Sequence, residues 1–415
     1  MTNLFTTESK PIPITKKMVK EAYRKVNSNK GSAGVDKESL GKFQENLLEN
    51  LYKIWNRMSS GSYFPQAVKE VVIPKAGGGE RKLGIPTISD RIAQEVVKTY
   101  LEPRMDAIFS PNSYGYRPNK SAHDALEKVK KNVRQYSWVV DMDIKAFFDE
   151  VDHELLLKAI DKHVGEKWAK MYIVRWLECP IQTSKGELIQ KKGKGTPQGG
   201  VISPLLANLF LHYVLDKWLE KEYPQLSFVR YADDVIVHCY SESQSLEVLN
   251  AIKNRLAECK LRLSEVKTKI VYCLDYNRMQ RKEYPKKFDF LGFTFKPRSI
   301  KSKTGRGMYL GFGCEISQKS QSRITSFWKE LELHRKSPLT IQDIADKVNS
   351  QIRGIIRYYG YSTIRHLQGL FRNLEFRLAK WYRNKYKERS YRVAFQRMRE
   401  IKCNYPKMFY HWQFF

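Results

Sequence analysis

FVRYADDVIVHC, residues 228–239, sets two adjacent aspartates, Asp233 and Asp234, between two apolar, β-branched runs. The flanks LSFVRY and VIVHCY read as short strands separated by Ala232, Asp233 and Asp234, which is hairpin geometry. Two ionised carboxylates at such a tip repel each other, and their apolar flanks draw them towards a buried sheet. A turn with only a structural task uses Asp-Gly or Asn-Gly, where left-handed backbone is needed. A divalent cation is the simplest compensation, because it takes carboxylate oxygens and keeps coordination sites for a phosphate.

DMDIKAFFDEVDH, residues 141–153, supplies a second acidic group. SWVVDMDI (137–144) reads as a strand, with Asp143 at its end, where a third carboxylate can meet the hairpin tip. Asp141 falls on the same strand face, and spacing alone does not exclude it. Asp149 and Asp152 are better placed to serve the turn or to cap the helix DHELLLKAIDKHV. Three carboxylates around two divalent ions suit in-line phosphoryl transfer, which needs no protein nucleophile.

The chain has 415 residues, enough for two or three domains. Its 74 Lys and Arg against 44 Asp and Glu leave a formal charge of +30. Such a charge repels itself in a compact protein, and a polyanionic partner relieves it. Nucleic acid is that partner in preference to an anionic membrane or an acidic protein, since 24 Tyr, 20 Phe and 8 Trp add rings that stack on bases. Binding is therefore expected to weaken steeply with salt. The six cysteines (Cys179, Cys239, Cys259, Cys273, Cys314, Cys403) form no CxxC pair, against structural zinc or a disulfide frame and for a reducing, cytoplasmic setting. No apolar leader or 18-residue apolar run is present.

Along the chain, TKKMVKEAYRKV and ESLGKFQENLLENLYKIWNRMSSG read as helices split by NKGSAGVD (Asn29–Asp36). AVKEVVIPK and RKLGIP read as strands around AGGGE, whose glycines Gly77, Gly78 and Gly79 suit a hairpin turn better than a phosphate cradle. TISDRIAQEVVKTYLEPRMDAIF follows as a helix capped by Asp90 or Ser89, and PLLANLFLHYVLDKWLEK (204–221) as one long buried helix. SLEVLNAIKNRLAECKL is an amphipathic helix; KTKIVYC and KFDFLGFTF are strands. KPRSIKSKTGRGMYLGFG reads as a basic, Gly-rich loop, with a domain boundary between Phe295 and Ile316 and helices beyond it.

At this point the residues resemble a known family. YADD (Tyr231–Asp234) resembles the YxDD box of reverse transcriptases, and WVVDMDIKAFFDEVDHELLL looks like the strand bearing their first metal ligand. IPKAGGGERKLGIPTISDRIAQEVV (73–97), SYGYRPNKSAHDAL (113–126), GTPQGGVISPLLANLFL (195–211), FLGFTF (290–295), NKGSAGVD and IRGIIRYYGYS (352–362) are similar to blocks of the bacterial group II intron reverse transcriptase/maturases. The blocks run in order over nearly the whole chain.

The resemblance implies an α+β right-hand polymerase with a helical maturase-type thumb. Its parts would be an amino-terminal extension (1–60), fingers and palm (61–295), the thumb (296–385) and a basic nucleic-acid-binding segment (386–415). It implies Asp143, Asp233 and Asp234 as catalytic carboxylates and metal ligands, with the Ile144 carbonyl as a further ligand. Mg²⁺ is the implied ion, and Mn²⁺ accepts the same oxygens. For the dNTP it implies Lys75 and Arg81 on the triphosphate, Gln198 beside the nucleotide, and Phe148 as a gate against the ribose 2′-hydroxyl, Phe147 being the core member of that pair. Lys267 either protonates the leaving pyrophosphate or contacts phosphate. FDFLGFTF resembles the primer grip.

The implied partners are an RNA template with a DNA or RNA primer, dNTPs, group II intron RNA and target DNA. Ile355 stands where the family thumb carries Trp, which bears on RNA contacts and not on the fold. No zinc or His-rich segment follows HWQFF (411–415), so no attached endonuclease is expected. A maturase acting mainly as an RNA-folding cofactor, or a domesticated polymerase of repair or defence, are the competing readings.

Overall fold

The computed structural model describes residues 12–74, 79–279, 283–301, 307–361 and 364–415. It divides into two compact units, Met1–Ala125 with Val140–Lys269 and Leu126–Val139 with Ile270–Phe415.

In the first unit, Thr15 caps the helix Lys16–Ser28 by accepting the Met18 N–H, and Val19, Ala22, Tyr23 and Val26 form its buried face. The next helical stretch is two helices, Leu40–Glu45 and Leu47–Ser60, because Asn46 leaves helical space at φ −119° and ψ 41°. Strands β1 (Val68–Pro74) and β2 (Glu80–Ile85) pair antiparallel from Lys69 opposite Ile85 to Pro74 opposite Glu80. Lys75, Gly77 and Gly78, at the tip between them, lie outside the described residues.

The helix Ile88–Ile108 is capped by Thr87, not by Asp90 or Ser89. Thr87 is the last extended residue and its Oγ1 accepts the Asp90 N–H, while the buried Asp90 carboxylate accepts from the Tyr63 and Thr87 hydroxyls and the Gln66 N–H.

Strand β3 (Trp138–Asp143) runs into the candidate site. The short strands β4 (Ile181–Gln182) and β5 (Leu188–Ile189) extend the first hairpin into a sheet of order β2-β1-β4-β5. Strands β6 (Ser227–Tyr231) and β7 (Asp234–Cys239) pair antiparallel, and β7 lies next to β3. The long apolar helix is interrupted: Ser203–Leu211 is α-helical, His212–Asp216 forms a π turn, and Lys217–Glu222 resumes the α form.

Strand β8 (Lys269–Tyr272) leads into the second unit, where β9 (Phe288–Phe290), β10 (Phe293–Lys301) and β11 (Met308–Ile316) form a sheet of order β11-β10-β9. The stretch expected to be a basic loop is therefore a hairpin, paired from Phe293 opposite Ile316 to Lys301 opposite Met308. Its glycines serve that pairing: a Cβ on Gly311 would sit 2.5 Å from Ile300 Cδ1. Helices Gln318–Glu330, Ile341–Tyr359, Gln368–Lys385 and Tyr391–Asn404 follow, around the buried Trp328, Phe371 and Trp381. The chain end folds back on them: Met408 O accepts from Asn349 Nδ2, and Glu375 Oε1 lies 2.8 Å from His411 Nε2 and accepts from Trp412 Nε1 at 2.6 Å. Among the described residues, no helix is long and apolar enough to cross a membrane.

Candidate active site

The β6–β7 turn is tighter than the sequence suggests. Tyr231 pairs with Asp234, which opens β7, so Ala232 and Asp233 alone make the turn. Ala232 has φ +57°, a left-handed conformation rare for a residue with a side chain.

Asp143 ends β3. Its carbonyl accepts the Ser264 N–H at 2.8 Å, and both its carboxylate oxygens accept from Lys267 Nζ, at 3.0 and 2.9 Å. The neighbouring Lys145 N–H donates to the Arg262 carbonyl at 2.9 Å. Ile144 bridges Leu263 between these two bonds, and neither uses the Ile144 carbonyl.

Electrostatics connect the groups. Burial pushes the Asp233 carboxyl up, Asp143 pushes it further, and Arg81 and Lys267 oppose the rise. The Asp234 carboxyl is lifted to about 6 by burial, then by repulsion from Asp233 and Asp143, against Lys267 and Arg81. Asp234 nonetheless keeps solvent-exposed surface. Tyr116 shares this field: burial, then Asp233 and Tyr231, raise its phenol, and Arg81 lowers it.

Asp141 pairs with Lys269 at 3.5 Å. Asp152 caps the helix His153–His163 through the Leu155 N–H, whereas Asp149 is exposed.

The donors fit a hard divalent cation, since three carboxylates contribute oxygen and neither nitrogen nor sulfur. The rise of Asp234 comes first from burial and then from its two acidic neighbours, and a bound cation would oppose both. As placed, however, no three His, Cys, Asp or Glu side chains among the described residues are gathered closely enough to enclose an ion, and Asp143 is engaged by Lys267.

A stability measurement follows from these shifts. Asp234 has a folded-state value above its ordinary 3.8, so it favours the ion-free fold at low pH and loses that contribution as pH rises through about 6. Asp234→Asn should therefore raise the thermal midpoint above the parent's at pH 7.5 in chelator, and the gap should close near pH 4. Added Mg²⁺ should stabilise the parent more than the variant. Equal midpoints at every pH and ion concentration would contradict the reading.

The expected nucleotide residues are distributed around this centre. Arg81, on β2, is exposed and acts on both Asp233 and Asp234. Lys75 lies outside the described residues. The Gln198 carbonyl accepts the Gly84 N–H of β2 at 2.8 Å. A Cβ on Gly199, at φ +126°, would lie 2.5 Å from Gly84 O, so only glycine permits this closure. Phe147 is buried, and Phe148 rests half-buried on it with ring centroids 5.4 Å apart. The Phe148 carbonyl accepts the Thr196 N–H at 2.7 Å, which ties the gate candidate to the Gln198 loop.

Sequence reasoning missed the place of Tyr116. Bonds from Tyr114 N–H to Arg230 O and from Arg230 N–H to Asn112 O lay residues 112–114 along β6. No local spacing announces that contact.

Comparison with known proteins gives the family. Residues 73–295 match the model of the reverse transcriptase (RNA-dependent DNA polymerase) family, and residues 322–399 match the group II intron maturase-specific domain. The group II intron-encoded protein LtrA of Lactococcus lactis subsp. cremoris is 28% identical, over 82% of this chain and 68% of its own. Protein YkfC of Escherichia coli (strain K12) is 30% identical, over 61% of this chain and 77% of its own.

The chain is an α+β nucleic-acid polymerase of the right-hand type. It belongs to the reverse transcriptase family and carries the maturase-specific domain of group II introns. Its activity is that of an RNA-directed DNA polymerase, which depends on divalent metal.

Proposed function

We propose that the chain extends a primer along an RNA template at Asp143, Asp233 and Asp234, with Mg²⁺ as the working ion. The observation that carries this reading is electrostatic: burial raises both hairpin aspartates, Asp143 raises them further, and Arg81 and Lys267 lower them. The three carboxylates and the Ile144 carbonyl would hold the divalent ions, which would supply activation of the primer 3′-hydroxyl and neutralisation of pyrophosphate. Arg81 and Lys75 orient the triphosphate, Arg81 through a planar fork and Lys75 as a point charge. Phe148 excludes a 2′-hydroxyl, and Gln198 stands beside the nucleotide. Lys267 serves phosphate or gives it a proton, and its bond to Asp143 supports that reading.

Residues 61–295 act as fingers and palm behind an amino-terminal extension, 1–60. Residues 296–385 act as the thumb, and 386–415 add a basic contact to RNA or DNA. The maturase-specific match supports a second role, binding the chain's own intron RNA and assisting its splicing. Dense Arg and Lys in these segments suit phosphate backbones.

The test is primer extension by purified protein on an RNA template with dNTPs and Mg²⁺. Template-dependent, metal-dependent DNA synthesis is expected, and its absence from folded protein would defeat the reading. For the splicing role, a group II intron RNA should fold around the coding sequence and splice faster with the protein present.

A further inference from the structure

Arg230 precedes the YADD turn, is fully buried, and is one of the largest side chains so enclosed. Its Nε donates to Asp216 Oδ1 at 2.7 Å and its Nη2 to Asp216 Oδ2 at 2.6 Å, the paired geometry of a guanidinium fork on a carboxylate. The remaining nitrogen, Nη1, donates to Asn208 Oδ1 at 2.9 Å and to the Ala232 carbonyl at 3.1 Å. Asn208 then donates through Nδ2 to the Gly115 carbonyl at 2.7 Å. A Cβ on Gly115 would lie 2.4 Å from the Ala232 nitrogen, so the backbone at 115 closes on the same turn from another side. Asn208, Asp216 and Arg230 are each at most 1% exposed.

The helix interruption explains how two of these partners reach one guanidinium. Positions eight apart on an unbroken α-helix diverge by about 80° around the axis. Between Asn208 and Asp216 the π turn His212–Asp216 underwinds the helix, and both side chains meet Arg230. A buried ion pair is weak evidence for stability, because apolar residues of similar volume hold a core as well. This one is spent on a backbone carbonyl whose residue stands at φ +57°, and such a conformation persists only where its surroundings over-determine it.

We propose that Arg230, held by Asp216 and Asn208, is a positioning residue: it fixes the Ala232–Asp233 turn and so sets the aim of the Asp233 and Asp234 carboxylates towards divalent ions. The inference rests on the polymerase reading above and assigns Arg230 no contact with substrate.

The test compares the parent chain with Arg230→Met/Asp216→Leu, which removes both buried charges together and keeps volume, and with Arg230→Lys, which keeps the ion pair but loses the fork. Primer extension gives kcat, dNTP KM and half-saturating Mg²⁺; thermal unfolding gives the midpoint rise caused by Mg²⁺ alone. We expect kcat to fall about thirtyfold or more in the double variant and about tenfold in Arg230→Lys, with dNTP KM and primer–template affinity within about threefold of the parent. Half-saturating Mg²⁺ should rise at least about fivefold and the Mg²⁺-induced midpoint shift should shrink in both. Either variant, folded and with the parent's kcat and Mg²⁺ response, would overturn the inference. An inactive parent would instead defeat the polymerase reading, so the two failures are distinct.

Discussion

Asp233→Ala should lower single-turnover dNTP addition by about 10³-fold or more, while primer–template affinity stays within about threefold of the parent. Asp233 occupies the second place of a two-residue turn, and its charge reaches both Asp234 and Tyr116. Removing it leaves Asp143 bonded to Lys267 and Asp234 under the opposing charge of Lys267 and Arg81, so positive charge gains on what remains. Polymerase chemistry has little for side chains to do beyond placing ions and charge, and loss of a proposed ligand should therefore appear in the chemical step. Nucleic-acid affinity draws on the excess of Lys and Arg, which this substitution leaves intact. Extension by the variant within about tenfold of the parent would remove Asp233 from the centre.

Phe148→Ala should raise the use of rNTPs relative to dNTPs by about 10²-fold, with dNTP addition reduced only a few-fold. The ring is half-buried on Phe147, and it is Phe147 that packs on towards Phe210, with centroids 6.4 Å apart. Losing the outer ring opens space without removing the inner support. The backbone at 148 stays tied to Thr196 through its carbonyl, so the Gln198 loop should hold its place. Competition between rNTP and dNTP on one template measures the ratio directly. An unchanged ratio would return Phe148 to the role of a packing residue.

The hairpin and the strand end at the candidate site were legible in the sequence because their signals are local. YADD between two apolar runs announces a hairpin with charge at its tip, and Asp143 follows from a strand that ends in carboxylate. What pairs with what across the chain was not legible. Nothing in SYGYRP shows that Tyr116 shares a field with Asp233, because the link is the backbone bonding of residues 112–114 to β6. The π turn at His212–Asp216 was hidden as well, since an apolar helix with one underwound turn keeps the composition of an unbroken one. The β10–β11 hairpin was misread as a loop because its glycines, which yield room to Ile300, count locally as turn formers. Thr87 rather than Asp90 caps its helix for a related reason: either residue type can cap, and the bonds of Asp90 to Tyr63 and Gln66 decide between them.

Anomalous scattering from Mn²⁺ in crystals of the protein with primer, RNA template and dNTP tests most directly whether these aspartates exist to hold divalent ions. The account predicts manganese bound jointly by the carboxylates of Asp143 and Asp233, beside the nucleotide phosphates. Manganese confined to other residues, with Asp143 still bonded to Lys267 alone, would contradict it.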